Sequence, residues 1–193
     1  MAFDHLKISA ERSFADAEER EATNPEGALA ARAHGHEALA SYYFANGDSK
    51  GEEELHSAIR AEVQRYLAFG TAVRPFLQYR YLLLALAIGD VVLAREIAGY
   101  PIDRKNWSRF DSAITFRICN VLGIAQGVKE PKASYTATEQ TFLRALDAVA
   151  KGEAFEVDDV HGFWKALRKK RYELTIFEHK DLFTPALKTL RAV

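Results

Sequence analysis

The densest grouping of side chains able to do chemistry is the segment AHGHEALA, which carries His34, His36 and Glu37. A zinc hydrolase of the HExxH kind needs two histidines four residues apart on one helix face, with the glutamate between them. Here Ala40 stands where the second histidine would be, and His34 and His36 are two apart, which on a helix turns them to different faces. The segment therefore reads as exposed or hydrogen-bonded histidines. His56 and His161 lie far off in sequence, and nothing in their spacing asks for a metal site. Carboxylates are grouped in Glu52-Glu53-Glu54 and in Asp158-Asp159. A pair that shares a proton needs burial. Both runs instead stand at expected helix starts, where the helix dipole favours negative charge.

Other reactive patterns are missing. There is no GxxxxGK[ST] or GxGxxG loop to cradle phosphate, and no serine in a GxSxG turn. The lone cysteine, Cys119, sits in the apolar stretch RFDSAITFRICNVLG, which suits a buried and inert thiol. One cysteine cannot form an internal disulfide, which fits a reducing compartment. Arg168-Lys169-Lys170-Arg171 is the densest basic cluster, but four consecutive residues spread around a helix and form no phosphate-tracking stripe. Trp107, Phe110, Phe163 and Trp164 have a spacing compatible with core packing. No catalytic, cofactor-binding or metal-ligating set emerges, so no enzyme activity, no cofactor and no metal are expected. A hydrolase with an unfamiliar helical site stays open as an alternative; His34, His36 and Glu37 converging in a deep pocket would favour it.

The elements that must position these residues read as helices throughout. The segment YLLLALAIGDVVLAREIAGYP, residues 81–101, contains an unbroken apolar run of only eight residues, Tyr81 to Ile88. That is far short of the ~20 needed to cross a bilayer. Gly89-Asp90 interrupts it with a helix stop followed by an N-cap, so the segment is a helix, a tight corner and a second helix closed by Gly99 and Pro101. The same grammar predicts a helix over 4–22 and a second over about 28–45, with Asn24 as cap and Pro25 in its first position. Leu55, Ile59, Val63 and Tyr66 or Leu67 place a third over about 51–69. A fourth runs from near Thr71 to Ile88, with Pro75 in its first turn. After the short helix capped by Asp90, a longer one opens at Asp103 and frays at Gly123 and Gly127. Thr138 and Gln140 lead into TFLRALDAVA, which Gly152 stops. Asp158-Asp159 precede VHGFWKALRKKRYELTIFEH, and a short helix starts near Thr184-Pro185. The β-branched and aromatic RYELTIFEH could suit a strand but has no convincing partner strand, so it is read as helix. The expectation is all-α: one domain over 1–193, seven to nine helices in stacked antiparallel pairs, solenoid-like.

Composition agrees. The chain has 193 residues, 48% hydrophobic and 27% charged, which suits one globular domain and excludes a disordered or fibrous chain. Net charge is −1, so no nucleic-acid or membrane partner is implied. The sum hides an asymmetry. Residues 1–70 carry 7 Lys+Arg against 13 Asp+Glu, and residues 71–193 carry 19 against 14. Either the two halves attract each other within the fold, or the acidic half meets a basic partner. The N-terminus MAFDHLKISAERSF has no basic-then-apolar signal pattern, and a cytoplasmic location is expected.

Two stretches taken together carry a resemblance. The first is ASYYFANGDSKGEEELHSAIRAEVQRYLAF followed by YRYLLLALAIGDVVLAREIAGYP; the second is VHGFWKALRKKRYELTIFEHKDLFTPALKTLRA. Over residues 38–101 and 158–192 the order of motifs resembles the immunity protein 49 family of bacterial polymorphic-toxin systems. The resemblance implies an all-helical, non-enzymatic protein that binds and neutralises a cognate protein toxin; the acidic balance of residues 1–70 suits a nuclease or another basic effector as that toxin. It assigns no residue roles. The acidic bias supplies the candidates: Glu18, Glu19, Glu52, Glu53 and Glu54 as the densest carboxylates, with Tyr42 or Tyr43 as aromatic anchor. The alternative is a helical-repeat scaffold or regulator that holds a peptide or protein on one side of the stack.

Overall fold

The computed structural model describes residues 4–70, 75–100, 109–124, 134–153 and 180–193. Among them are eight helices and no strand: α1 Asp4–Arg20, α2 Pro25–Asn46, α3 Ser49–Leu67, α4 Pro75–Ala87, α5 Val91–Ala98, α6 Arg109–Val121, α7 Ala137–Ala150 and α8 Lys180–Arg191. The all-helical reading holds. The expected helix after Asp158-Asp159, the RYELTIFEH segment, the 168–171 basic cluster, His161 and both tryptophans lie outside the described residues.

Each boundary has a local cause. Asn24 Oδ1 accepts the Gly27 amide at 3.0 Å and Pro25 takes the first helical position, where its missing N–H costs nothing. Gly47 ends α2 in the left-handed region at φ 62°, which a side chain would resist. Asp48 then caps α3 by accepting the Gly51 amide at 3.0 Å, so α3 begins at Ser49, ahead of the expected Gly51. At the corner in residues 88–90, Gly89 has φ 77° and Asp90 Oδ1 accepts the Leu93 amide at 3.0 Å, while Arg60 Nε of α3 donates to Asp90 Oδ2 at 2.8 Å. Two further expectations shift. The cap of α7 is Thr136, which forms a reciprocal box with Glu139; Thr138 and Gln140 fall inside the helix. The last helix is already formed at Lys180, where the described residues resume, and carries Pro185 within it, where one N–H is missing from the ladder.

The buried side of α3 is Leu55, Ile59, Val63 and Tyr66, with Tyr66 rather than Leu67 completing the stripe. α4 is different. From Leu77 to Leu86 every residue is buried, as expected of a helix apolar or matched on all faces. α4 packs on α8, α5, α2, α6 and α3, and is the hub of one contiguous apolar core that runs from Leu29 to Leu190. Pairs joined by turns of two to four residues account for α1–α2, α2–α3 and α4–α5. The stack closes on itself, because α8 returns to α4, α2 and α7. α1 lies to one side on α2, through Leu6, Ala10, Ala17 and the ring of Phe14. Gly35 permits that approach: a Cβ there would stand 2.6 Å from Phe14 Cε1.

Candidate functional site

The AHGHEALA segment occupies the middle of α2, and its three polar side chains separate as their spacing requires. Glu37 is fully buried and faces α4. Arg80 of α4 grips it with two parallel bonds, Nε to Oε1 and Nη2 to Oε2, both 2.7 Å. Short, bidentate guanidinium–carboxylate pairs are the strong form of this contact. Burial pushes the Glu37 carboxyl up, but the charge and hydrogen bonds of Arg80 outweigh it and hold the group below the ordinary range. His34, one turn earlier, places Nδ1 3.7 Å from Glu37 Oε2, an ion-pair distance longer than a hydrogen bond. His36 turns the other way, its ring edge-on to Phe14 of α1 with centroids 5.0 Å apart. Burial lowers His36 to about 4, with Glu37 opposing and Arg32 adding to the shift, so it stays neutral at physiological pH.

This arrangement is poorly suited to acid–base work. A general base must be free to take a proton near neutral pH, whereas Glu37 is ionised and both of its oxygens are engaged by Arg80. His34 and His36 do not converge. Among the described residues no group of three histidine, cysteine or carboxylate side chains is placed to hold a metal ion. Cys119 is buried in α6, and burial alone pushes its thiol up to about 12, far from a reactive thiolate.

A second buried carboxylate lies across the same layer. Glu62 of α3 is 6% exposed, with its Oε1 3.1 Å from the Tyr81 hydroxyl of α4. Arg65 Nε and Arg32 Nε stand 3.5 and 3.9 Å from Glu62 Oε2, and Arg32 Nη2 also pairs with Glu21 in the α1–α2 turn. The polar layer thus joins α2, α3 and α4. Sequence reading passed over Arg80, Glu62 and Tyr81, yet a signal was present: FLQYRYLLLALA puts Gln78 and Arg80 inside an otherwise apolar run. A cation on a helix buried all round must find a buried anion.

The candidate contact residues lie elsewhere and fall into two groups. Glu18 and Glu19 are exposed in the last turn of α1, beside the start of α2. Tyr42 and Tyr43 are half-buried at the end of α2, their rings edge-on with centroids 5.4 Å apart. Glu53 and Glu54, exposed in the first turns of α3, share that corner; the Glu52 side chain lies outside the described residues. α2 has 22 residues, so at ~1.5 Å per residue the two ends are about 33 Å apart. The tyrosines thus lie at the α2–α3 corner, where Glu53 and Glu54 also stand, and Glu18 and Glu19 lie at the far end of α2. The two tyrosines also differ. The ring of Tyr43 covers the backbone of Gly51, where a Cβ would meet its Cε1 at 2.2 Å.

Comparison with protein-family models, with curated proteins and with solved structures gave no significant match. Among the described residues no helix is long and apolar enough to cross a membrane.

Proposed function

We propose that this protein is a non-catalytic immunity protein that acts in the cytoplasm, binding a basic protein toxin and neutralising it. The family resemblance supplies the class of partner. The observation that carries the reading is the distribution of acidic side chains. Glu37 and Glu62 are buried within reach of arginines, Asp16 pairs with Arg20, and Glu21 pairs with Arg32. Glu53 and Glu54 are exposed at the α2–α3 corner and make no ion pair among the described residues. These two carboxylates, at the same α2–α3 corner as the half-buried Tyr42, offer charge to steer a basic partner and an aromatic surface to hold it. Complementary charge acts chiefly on the association rate, and the close contacts set the dissociation rate. Glu18 and Glu19 would reach a large partner only if it spanned the length of α2.

The test is co-expression with the protein encoded next to it. The expected result is a stable complex and survival of cells that the neighbour alone kills. Failure to co-purify, together with no protection, would overturn the proposal. Protection without binding, by turnover of the neighbour's substrate or product, would replace it with the enzyme reading.

A further inference from the structure

Tyr81 of α4 reaches two oxygens at once. Its hydroxyl oxygen is 3.1 Å from the Leu29 carbonyl oxygen of α2 and 3.1 Å from Oε1 of Glu62 on α3, and Tyr81 itself is fully buried. A phenol has one proton to donate. A backbone carbonyl only accepts, and an ionised carboxylate only accepts. With Glu62 ionised, three acceptor oxygens share a single proton in a buried place. One contact is then a repulsion between lone pairs, and unmet polar groups are most expensive in such surroundings. A carboxylic acid resolves the conflict: its O–H donates to the Tyr81 oxygen, and Tyr81 donates to Leu29. We propose that Glu62 keeps its proton to a higher pH than an ordinary glutamate does, and that this proton completes a hydrogen-bonded chain, Glu62 to Tyr81 to Leu29, joining α3, α4 and α2.

The charges around Glu62 bear on this from each neighbouring element. From α3 itself comes Arg65, and from α2 Arg32; both cations favour the ionised form. Their contacts at 3.5 and 3.9 Å are well outside the 2.7–2.9 Å of a tight charged hydrogen bond. Glu21, in the α1–α2 turn, competes for both, pairing with Arg32 Nη2 and lying 4.0 Å from Arg65 Nη1. Arg65 is also 57% exposed, so solvent screens its pull. From α4 the facing group is Tyr81. Burial is the largest influence and raises the Glu62 carboxyl; Arg32, Arg65 and a bond donated by Tyr81, which the chain proposed here would reverse, only partly offset it. Glu37 shows the other outcome, where 2.7 Å contacts to Arg80 leave the carboxylate charged.

The inference concerns how three helices are held together and does not depend on the binding partner. Its sign is opposite to that of most carboxylates. A group raised in the folded state stabilises fully below its unfolded value, and the contribution is lost as pH rises through the folded value. The deciding measurement is a carboxyl-carbon NMR titration of the folded protein, with Glu62 assigned through its backbone. The expected midpoint is above the ordinary glutamate value of 4.5, and a midpoint at or below it would overturn the proposal. Glu62→Gln gives a second readout, because its amide can donate to Tyr81 without titrating. At pH 7 this variant is expected to unfold at no lower denaturant concentration than the wild type, and the wild type gains on it as pH falls. A variant clearly weaker at pH 7, with the gap closing in acid, would mean an ionised Glu62 and overturn the proposal. Should the variant fail to fold, the wild-type titration decides alone.

Discussion

Glu37 and Glu54 lie in the same acidic half of the chain and do opposite things. Glu37 sits mid-way along α2 with no exposed surface, both oxygens held by Arg80 of α4. Glu54 stands on the outer face of α3, open to solvent and without an ion pair among the described residues. The charge imbalance of residues 1–70 is therefore two populations. One is internal and crosses to the other half through Glu37–Arg80 and, with the sign reversed, Arg60–Asp90. The other is external and spread over both ends of α2. Attraction between halves and an acidic face toward a partner are thus not exclusive readings of the charge balance, because different side chains serve each.

The contrast is broken most directly at Arg80. Arg80→Ala leaves Glu37 buried with only the more distant His34 Nδ1, 3.7 Å away, near its charge, and removing one member of such a pair typically costs about 3–5 kcal/mol. The expected outcome is a loss of that size in denaturant unfolding at pH 7. A pH series checks the cause. In the wild type Glu37 is held below its ordinary value, so its contribution is present above the unfolded pKa and lost as pH falls. Without Arg80, burial pushes Glu37 up with only His34 opposing it, the carboxyl takes a proton more readily, and the deficit shrinks in acid. Replacing both partners by apolar residues of similar volume is expected to recover most of the loss. A small loss for Arg80→Ala at every pH would place Glu37 in contact with water and remove the distinction between the two populations.

Tyr43 tests the boundary between the two populations, since it lies at the external corner but packs inward. Gly51→Ala would press a methyl group into its ring, at 2.2 Å from Cε1 before relaxation. Overpacking of this kind costs about 1–3 kcal/mol, against a gain of up to ~1 kcal/mol from replacing glycine within a helix. Net destabilisation is expected. In a Tyr43→Ala background the ring clash is absent and only Asp48 Oδ2, at 3.0 Å, stands close, so the same substitution is expected to stabilise. The sign change in a double-mutant cycle, read by thermal or denaturant unfolding, is the check. Additive effects would mean that Tyr43 is free of Gly51 and available as an anchor.

What could be read from the sequence divides along the same line. Helices, corners and caps were legible because their causes are local: Asn24-Pro25, Gly47-Asp48 and Gly89-Asp90 each carry the whole instruction within a few residues. Errors came where two adjacent candidates competed, as Thr136 and Thr138 did for the start of α7. The polar layer was not legible, because Glu37 and Arg80 are 43 residues apart and only the fold places them together. Arg80 within FLQYRYLLLALA announced that a buried anion must exist without saying which. Exposed residues carry the least information of all. A surface glutamate has the same composition whether it meets solvent or a partner, so Glu18, Glu19, Glu53 and Glu54 could be nominated by density alone.

The corner at Asp90 gives a smaller effect and separates structure from binding. Asp90→Ala removes the cap from α5, a helix of only 8 residues, and such losses cost ~1 kcal/mol. The lost pair with Arg60 adds little, since Arg60 is 55% exposed. Burial opposes the charge on Asp90, but the Leu93 amide and Arg60 outweigh it and lower the group, so its contribution fades as pH falls. The expected result is a modest drop in unfolding midpoint at pH 7 that narrows in acid, with binding of the proposed partner by the folded fraction unchanged. Intact stability with lost binding would transfer Asp90 to the external population.

The smallest effect on stability is expected where the effect on function should be greatest. Reversing Glu52, Glu53 and Glu54 to lysine changes solvent-facing positions at Glu53 and Glu54, and substitutions of that kind usually stay within about 0.5 kcal/mol. Three cations in the first turns of α3 oppose the helix dipole, which sets a small destabilising direction. If the α2–α3 corner meets a basic partner, the reversal turns attraction into repulsion. The association rate should then fall, and its dependence on ionic strength should flatten or invert, while the dissociation rate moves less. Surface-plasmon or stopped-flow kinetics across a salt series would read both. Reversing Glu18 and Glu19 serves as the internal control, because they lie at the other end of α2. A loss confined to the α3 triple places the partner at that corner; an equal loss from both sets means a long-range field rather than a contact. No kinetic change from either, with neutralisation intact, would leave these carboxylates as solvated surface and move the search for the interface to other faces of the bundle.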